Sequence, residues 1–215
     1  MLAASLVAIA VFLAGGPGFS WTQLVAKLVP VAALMIRLAL PKSRYGRAIL
    51  AGLALSLAGD ALLALPGDLF LPGLIAFLLA HLSYIAAFIG ERRKLLLSGL
   101  APFLPWVVGI YLYLYPNLGA LAAPVGIYCL VICAMMWRAA ATIGRPAERW
   151  QVAAFSGAVL FGLSDTILAL MRFQGGFPYG GAVLILAYWG GQSSIAISAV
   201  LHEGLAKDMP PVKVK

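Results

Sequence analysis

Two carboxylates stand in stretches of chain that otherwise carry no charge. Asp60 ends the run Gly52-Leu53-Ala54-Leu55-Ser56-Leu57-Ala58-Gly59-Asp60 and is followed by Ala61-Leu62-Leu63-Ala64-Leu65. Asp165 ends Gly157-Ala158-Val159-Leu160-Phe161-Gly162-Leu163-Ser164-Asp165 and is followed by Thr166-Ile167-Leu168-Ala169-Leu170. The two runs share one pattern, with Gly at the same distance before the acid and Leu-Ala-Leu closing each. In a membrane-buried helix such an acid costs on the order of 2.5–3.5 kcal/mol on insertion scales, so it faces the bundle interior and marks function. Two carboxylates sharing a dry pocket do not both ionise easily. The result is an acid beside a base, the arrangement used where a C–O bond breaks through an oxocarbenium ion.

Further polar groups belong to the same depth. Helical spacing puts His81 and Tyr84 on one face, and likewise Tyr188 and Gln192. Lys27, Ser56, Ser164 and Arg172 stand near the acids or near the same ends of their segments. At about 1.5 Å per residue both acids lie roughly 8–10 Å below one membrane face, with Lys27 level with them. Each group also has a plain structural role: the serines can bond back to their own helices. Tyr84, Tyr188 and Gln192 can link helices, His81 can be a satisfied core histidine, and Lys27 and Arg172 can snorkel. An Asp–Lys pair can simply hold a bundle together.

These residues need membrane helices to hold them. The chain is 63% hydrophobic and only 10% charged, against about 25% charged in soluble domains, and its mean hydropathy is +1.01. That excludes a soluble globular domain. The net charge of +8 does not indicate nucleic acid, because no basic face with interleaved aromatics exists. Eight spans of about 20 apolar residues are expected, at about 2–16, 22–40, 47–65, 69–89, 95–114, 118–138, 152–172 and 180–202, with 203–215 a polar tail. No basic n-region precedes the first, so it is expected to be a retained helix and not a signal peptide. Pro and Gly clusters separate the spans. Every Lys and Arg except Lys27 and Arg172 falls at the even-numbered connectors or in the tail, so both termini are expected in the cytoplasm. Cys129 and Cys133 share a helix face and have no metal-ligand spacing, and are expected to be small apolar packing residues.

Phe70-Leu71-Pro72-Gly73 aligns with Phe177-Pro178-Tyr179-Gly180, which sets His81 opposite Tyr188. Four spans separate the copies, so the expected architecture is all-α with a parallel 4+4 repeat about an axis along the membrane normal.

The chain resembles the YhhN-like lysoplasmalogenase family of eight-span membrane proteins. The residues that carry this are Ser56 to Asp60, Pro72 to Tyr84, Gly157 to Asp165 with Arg172-Phe173, and Tyr188-Trp189-Gly190-Gly191-Gln192. Lys27-Leu28-Val29-Pro30 looks like a loosened form of a Lys-Pro start to the second span. Residues 91–150 match only in hydropathy. The resemblance implies hydrolysis of the vinyl ether of lysoplasmalogens to a fatty aldehyde and a glycerophospho head group, with no metal or organic cofactor. It implies a lysophospholipid substrate in a multi-pass protein of a bacterial inner membrane; the sequence does not set the oligomeric state. Asp60 and Asp165 then carry acid–base catalysis, with Asp60 taken as the acid although the sequence does not separate them. His81, Tyr84, Tyr188, Gln192 and Ser164 are expected to position water and the glycerol oxygens, and Lys27 or Arg172 to meet the phosphate. The rival classes are a proton-coupled small-molecule or lipid transporter and a non-catalytic lipid-binding bundle.

Overall fold

A computed structural model describes residues 7–8, 10–12, 14, 20–38 and 40–208. Among them are seven α-helices: α1 Trp21–Leu38, α2 Arg44–Ala64, α3 Phe70–Glu91, α4 Phe103–Leu114, α5 Ala122–Thr142, α6 Arg149–Phe173 and α7 Gly180–Asp208. Seven segments are long and apolar enough to cross a membrane, counting the short 3-10 turns that flank α4 and precede α5. The expected first span, 2–16, lies largely outside the described residues.

Local chemistry sets the helix ends. Ser43 caps α2 by accepting from the Gly46 N–H at 2.9 Å. Glu148 and Gln151 form a reciprocal capping box at the start of α6, which satisfies N–H groups that a helix start leaves unpaired. The expected helix over 95–114 begins late. Residues 92–96 are not helical, Leu97–Leu100 forms a 3-10 turn, and α4 starts only at Phe103. Pro102 has no N–H to continue a helical ladder and so favours a helix start. Side chains from α5 hold the preceding loop: Arg138 donates to the carbonyls of Arg92 and Lys94, and Trp137 to that of Leu96 at 2.7 Å. At the other extreme α7 runs on to Asp208, past the expected end of the last span.

The bundle is apolar outside and partly polar within. Leu71, Ile75, Leu82, Leu112, Leu130 and Val183 are exposed, while Asp60, His81, Ser164, Asp165 and Gln192 are buried. That inversion suits a surface that meets hydrocarbon. The most extensive helix contacts are α2 with α3 and α6 with α7. Glycines let both pairs close. A Cβ at Gly52 would stand 2.2 Å from the Tyr84 ring, and one at Gly157 would stand 2.8 Å from the Gly191 carbonyl oxygen. By contrast α4 touches α5 and only a little of α6.

One end of the bundle, the rim, gathers the connectors after α2, α4 and α6. Asn117 donates to Gln174 at 2.9 Å, and Arg172 faces Asp68 at 3.8 Å. The opposite end carries the basic connectors, where Arg92 donates to the Ile143 carbonyl at 2.8 Å and Ser43 N–H to Glu203 at 2.8 Å.

Candidate active site

Asp60 and Asp165 lie a little below the rim on α2 and α6, helices that both run toward it. Each is clamped by residues from elsewhere. Asp60, 1% exposed, meets Lys27 of α1 at 2.9 Å through Oδ1. Tyr188 of α7 donates to its Oδ2 at 2.5 Å. Both carboxylate oxygens are therefore held by donors. Behind Tyr188 the donors continue in series: Gln192 Nε2 donates to the Tyr188 hydroxyl at 3.2 Å and Tyr84 donates to Gln192 Oε1 at 2.8 Å. Tyr84 and Gln192 are both 0% exposed. Ser56 is also fully buried and its hydroxyl has no well-formed hydrogen bond, although it lies close to Tyr84.

Asp165 has a different surrounding. Tyr128 of α5 donates to Oδ2 at 3.1 Å, and His81 Nε2 of α3 stands 3.3 Å from the same oxygen. The His81 Nδ1 lies 2.6 Å from the Phe77 carbonyl. A carbonyl only accepts, so Nδ1 carries a hydrogen and Nε2 is the free lone pair of the neutral ring. A lone pair facing a carboxylate would repel it. One proton therefore belongs to the His81–Asp165 pair, on one partner or the other. The contact is long, and Nε2 makes no well-formed hydrogen bond. Such looseness is common at catalytic groups without substrate.

The two acids also differ in what they face. Asp165 and Tyr128 line a narrow apolar cleft, with room for about 50 Å³, between α3, α4, α5 and α6. The other walls are Phe70, Leu74, Val107, Ile110, Leu114, Val125, Ile132, Leu168 and neighbouring apolar side chains, with Cys129 and Thr166. Asp60 does not line it. A second depression at the rim contains Arg172 and Asp68 and shares the Phe70 and Leu168 walls. Arg172 stacks over the Phe70 ring at 5.0 Å from its centroid, and Phe70 meets Phe173 edge-on at 5.7 Å.

The residues expected from sequence thus separate by position. Asp60, Lys27, Tyr188, Gln192 and Tyr84 form one connected set, and Asp165 and His81 another. Lys27 is committed to Asp60 and does not stand at the rim with Arg172. Tyr84 and Gln192 are sealed behind Tyr188, where they support the acid and do not border the cleft. Ser164 is 2% exposed and also stands outside the cleft lining. Tyr128 was not foreseen. It lies in the part of the chain where only hydropathy carried a signal, and a lone tyrosine among apolar residues looks like any aromatic packing group.

The model of the YhhN family matches residues 22–199. Lysoplasmalogenase TMEM86A from Bos taurus is 35% identical, over 91% of this chain and 85% of its own length. Lysoplasmalogenase TMEM86B from Homo sapiens is 34% identical, over 84% of this chain and 76% of its own. A lysoplasmalogenase of Mycobacterium bovis is 32% identical, over 62% of this chain and 52% of its own. No solved structure matches. With the whole of α2 to α6, both acids and their partners inside the matched region, the chain belongs to the YhhN family.

Proposed function

We propose that this protein is a membrane-embedded lysoplasmalogenase that cleaves the vinyl ether of a single-chain phospholipid. The observation that carries the proposal is Asp165, a buried carboxylate 3.3 Å from His81 Nε2 that opens onto an apolar cleft. Relatives named lysoplasmalogenase at about a third identity over most of the chain support the reaction class.

The geometry favours Asp165 as the acid, the reverse of the assignment first taken from sequence. The His81–Asp165 pair delivers its proton to the vinyl β-carbon, and the double bond's electrons leave an oxocarbenium ion on the carbon beside oxygen. Asp60, paired with the Lys27 ammonium and bonded by Tyr188, directs negative charge toward that cation without touching the substrate. Water adds to the cation while the Asp165–His81 pair takes its proton back, the acid turning base. The hemiacetal then collapses to aldehyde and glycerol hydroxyl. Tyr128 holds the Asp165 oxygen in place, and Arg172 at the rim takes the phosphate. The cross-pairing of Asp60 with Tyr188 and Asp165 with His81 supports the expected 4+4 repeat, since the two partners occupy matching positions in the two halves. The basic end then faces the cytoplasm.

A carrier is disfavoured by what lies between the site and the basic end. Ile49, Leu53, Phe88 and Ile195 are each 0% exposed and occupy the next turns of α2, α3 and α7 below Ser56, Tyr84 and Gln192. Polar groups resume only at Tyr45 and Ser198, bonded at 2.7 Å. Purified protein in detergent, with no gradient, should release fatty aldehyde from a 1-alkenyl lysophospholipid and none from its 1-alkyl analogue. Aldehyde release equal in wild type and Asp165→Asn, or no release at all, would overturn the proposal; uptake in sealed vesicles without cleavage would favour a carrier.

A further inference from the structure

We infer that a cavity at the basic end of the bundle binds the head group of an anionic phospholipid, with Arg37 and Lys42 on its phosphate. The cavity has room for about 380 Å³, within the range of ligand pockets, roughly 300–1,000 Å³. It lies where the end of α1 and the connector to α2 meet the last part of α7. Arg37 and Lys42 line it together with Leu38, Leu40 and Val200, and Glu203 is its one acid. Neither cation has a partner: their side chains make no ion pair or hydrogen bond with any described residue. Glu203 is turned to the backbone instead, where its Oε1 accepts from the Ser43 N–H at 2.8 Å. A Cβ on Gly46 would stand 2.8 Å from that same oxygen, so the carboxylate is seated against the start of α2. Two cations against one acid leave an excess of one positive charge, which suits a phosphodiester whose head group adds no ammonium.

Other arginines near this end are already committed. Arg92 donates to the Ile143 carbonyl at 2.8 Å, and Arg138 to the carbonyls of Arg92 and Lys94. The surface beside the cavity says what kind of anion fits. Ile36 and Leu40 are exposed by the end of α1, as are Ile197 and Val200 on α7, and in a bilayer such side chains meet hydrocarbon. A phospholipid seated here lays its chains along them and brings its phosphate to the two cations, as basic pockets between membrane helices do for lipid head groups. A free phosphate would use the cations and leave the apolar wall idle. The bound lipid would also tie α7 to α1, the helix that carries Lys27 to Asp60.

The test titrates full-length protein in a non-ionic detergent with dioctanoyl phosphatidylglycerol, following bound lipid by native mass spectrometry and the unfolding temperature in parallel. Wild type should bind the lipid and melt later with it. Dioctanoyl phosphatidylcholine and phosphatidylethanolamine should bind about fivefold more weakly, the worth of one charge beside a lipid head group. Arg37→Gln combined with Lys42→Gln should weaken phosphatidylglycerol binding about thirtyfold, about fivefold for each cation removed. Arg93→Gln combined with Lys94→Gln takes the same charge from the same end but away from the cavity, and should leave binding nearly unchanged. All four side chains are exposed, so the fold does not depend on them. An equal loss in both double variants would reduce the effect to diffuse attraction and overturn the inference. So would equal binding of the three lipids by wild type. Glycerophosphoglycerol, which has no chains, should bind far more weakly than the lipid; equal binding would make the ligand a soluble phosphodiester and overturn the lipid assignment. None of these measurements depends on catalysis.

Discussion

At Asp60 each carboxylate oxygen has its own donor, whereas at Asp165 two groups crowd one oxygen. Substitutions should separate the two roles. Asp165→Asn removes the transferable proton and should lower kcat by 10²–10⁴-fold, the range of general acid–base catalysis, with near-wild-type thermal stability. Asp60→Asn leaves the Lys27 ammonium in a mostly buried setting without its counter-charge. Breaking such a pair costs about 3–5 kcal/mol, so the unfolding temperature should fall clearly, and Lys27→Met in the same chain should recover most of the loss. Activity should stay low in that double variant, because the charge facing the oxocarbenium ion is gone. Recovery of aldehyde release along with stability would show Asp60 to be structural. Tyr128→Phe should cost about 1 kcal/mol of Asp165 positioning, the worth of one hydrogen bond, read as a several-fold drop in kcat with KM little changed. The acids were legible in sequence because a charge in an apolar run is rare and has a known cost. Tyr128 was not, since nothing in a hydropathy pattern distinguishes a tyrosine that bonds an acid from one that packs.

At the scale of helices, the glycines beside the acids matter as much as the acids. Gly157 lets α6 lie against the α7 backbone at Gly191, and an alanine methyl there would press on backbone atoms that cannot swing aside. Gly157→Ala should therefore destabilise by about 1–3 kcal/mol, the cost of overpacking, measured by thermal unfolding in detergent. Gly52 is different because its neighbour is the Tyr84 ring, a side chain. Gly52→Ala should displace that ring, break its bond to Gln192 and lower activity more than stability. The position of each apolar run was legible from its length. The late start of α4 was not: residues 95–102 are apolar enough for a span, and hydropathy is blind to a proline that forbids the ladder and to an arginine that bonds loop carbonyls.

Over the whole molecule, the reversed polarity of surface and interior follows from composition, and the repeated Gly-to-Asp pattern marked the two acids. What sequence could not supply was the asymmetry between the surroundings of the two acids. Identical spacing gives identical depth, yet the cleft opens beside Asp165 and leaves Asp60 enclosed. That difference lies in α4 and α5, which wall the cleft beside Asp165, while at Asp60 α1 brings Lys27. The greasy stopper formed by Ile49, Leu53, Phe88 and Ile195 has a bearing on the fate of the products. A lipid that docks from the rim has its two fragments returned on the side it came from: the aldehyde dissolves back into the surrounding leaflet, and the water-soluble head is shed beyond it. In the proposed orientation, with the basic end in the cytoplasm, cleavage would sort carbon chain from phosphate across a boundary, and a cell that wished to reuse the phosphate would have to bring it home by another door.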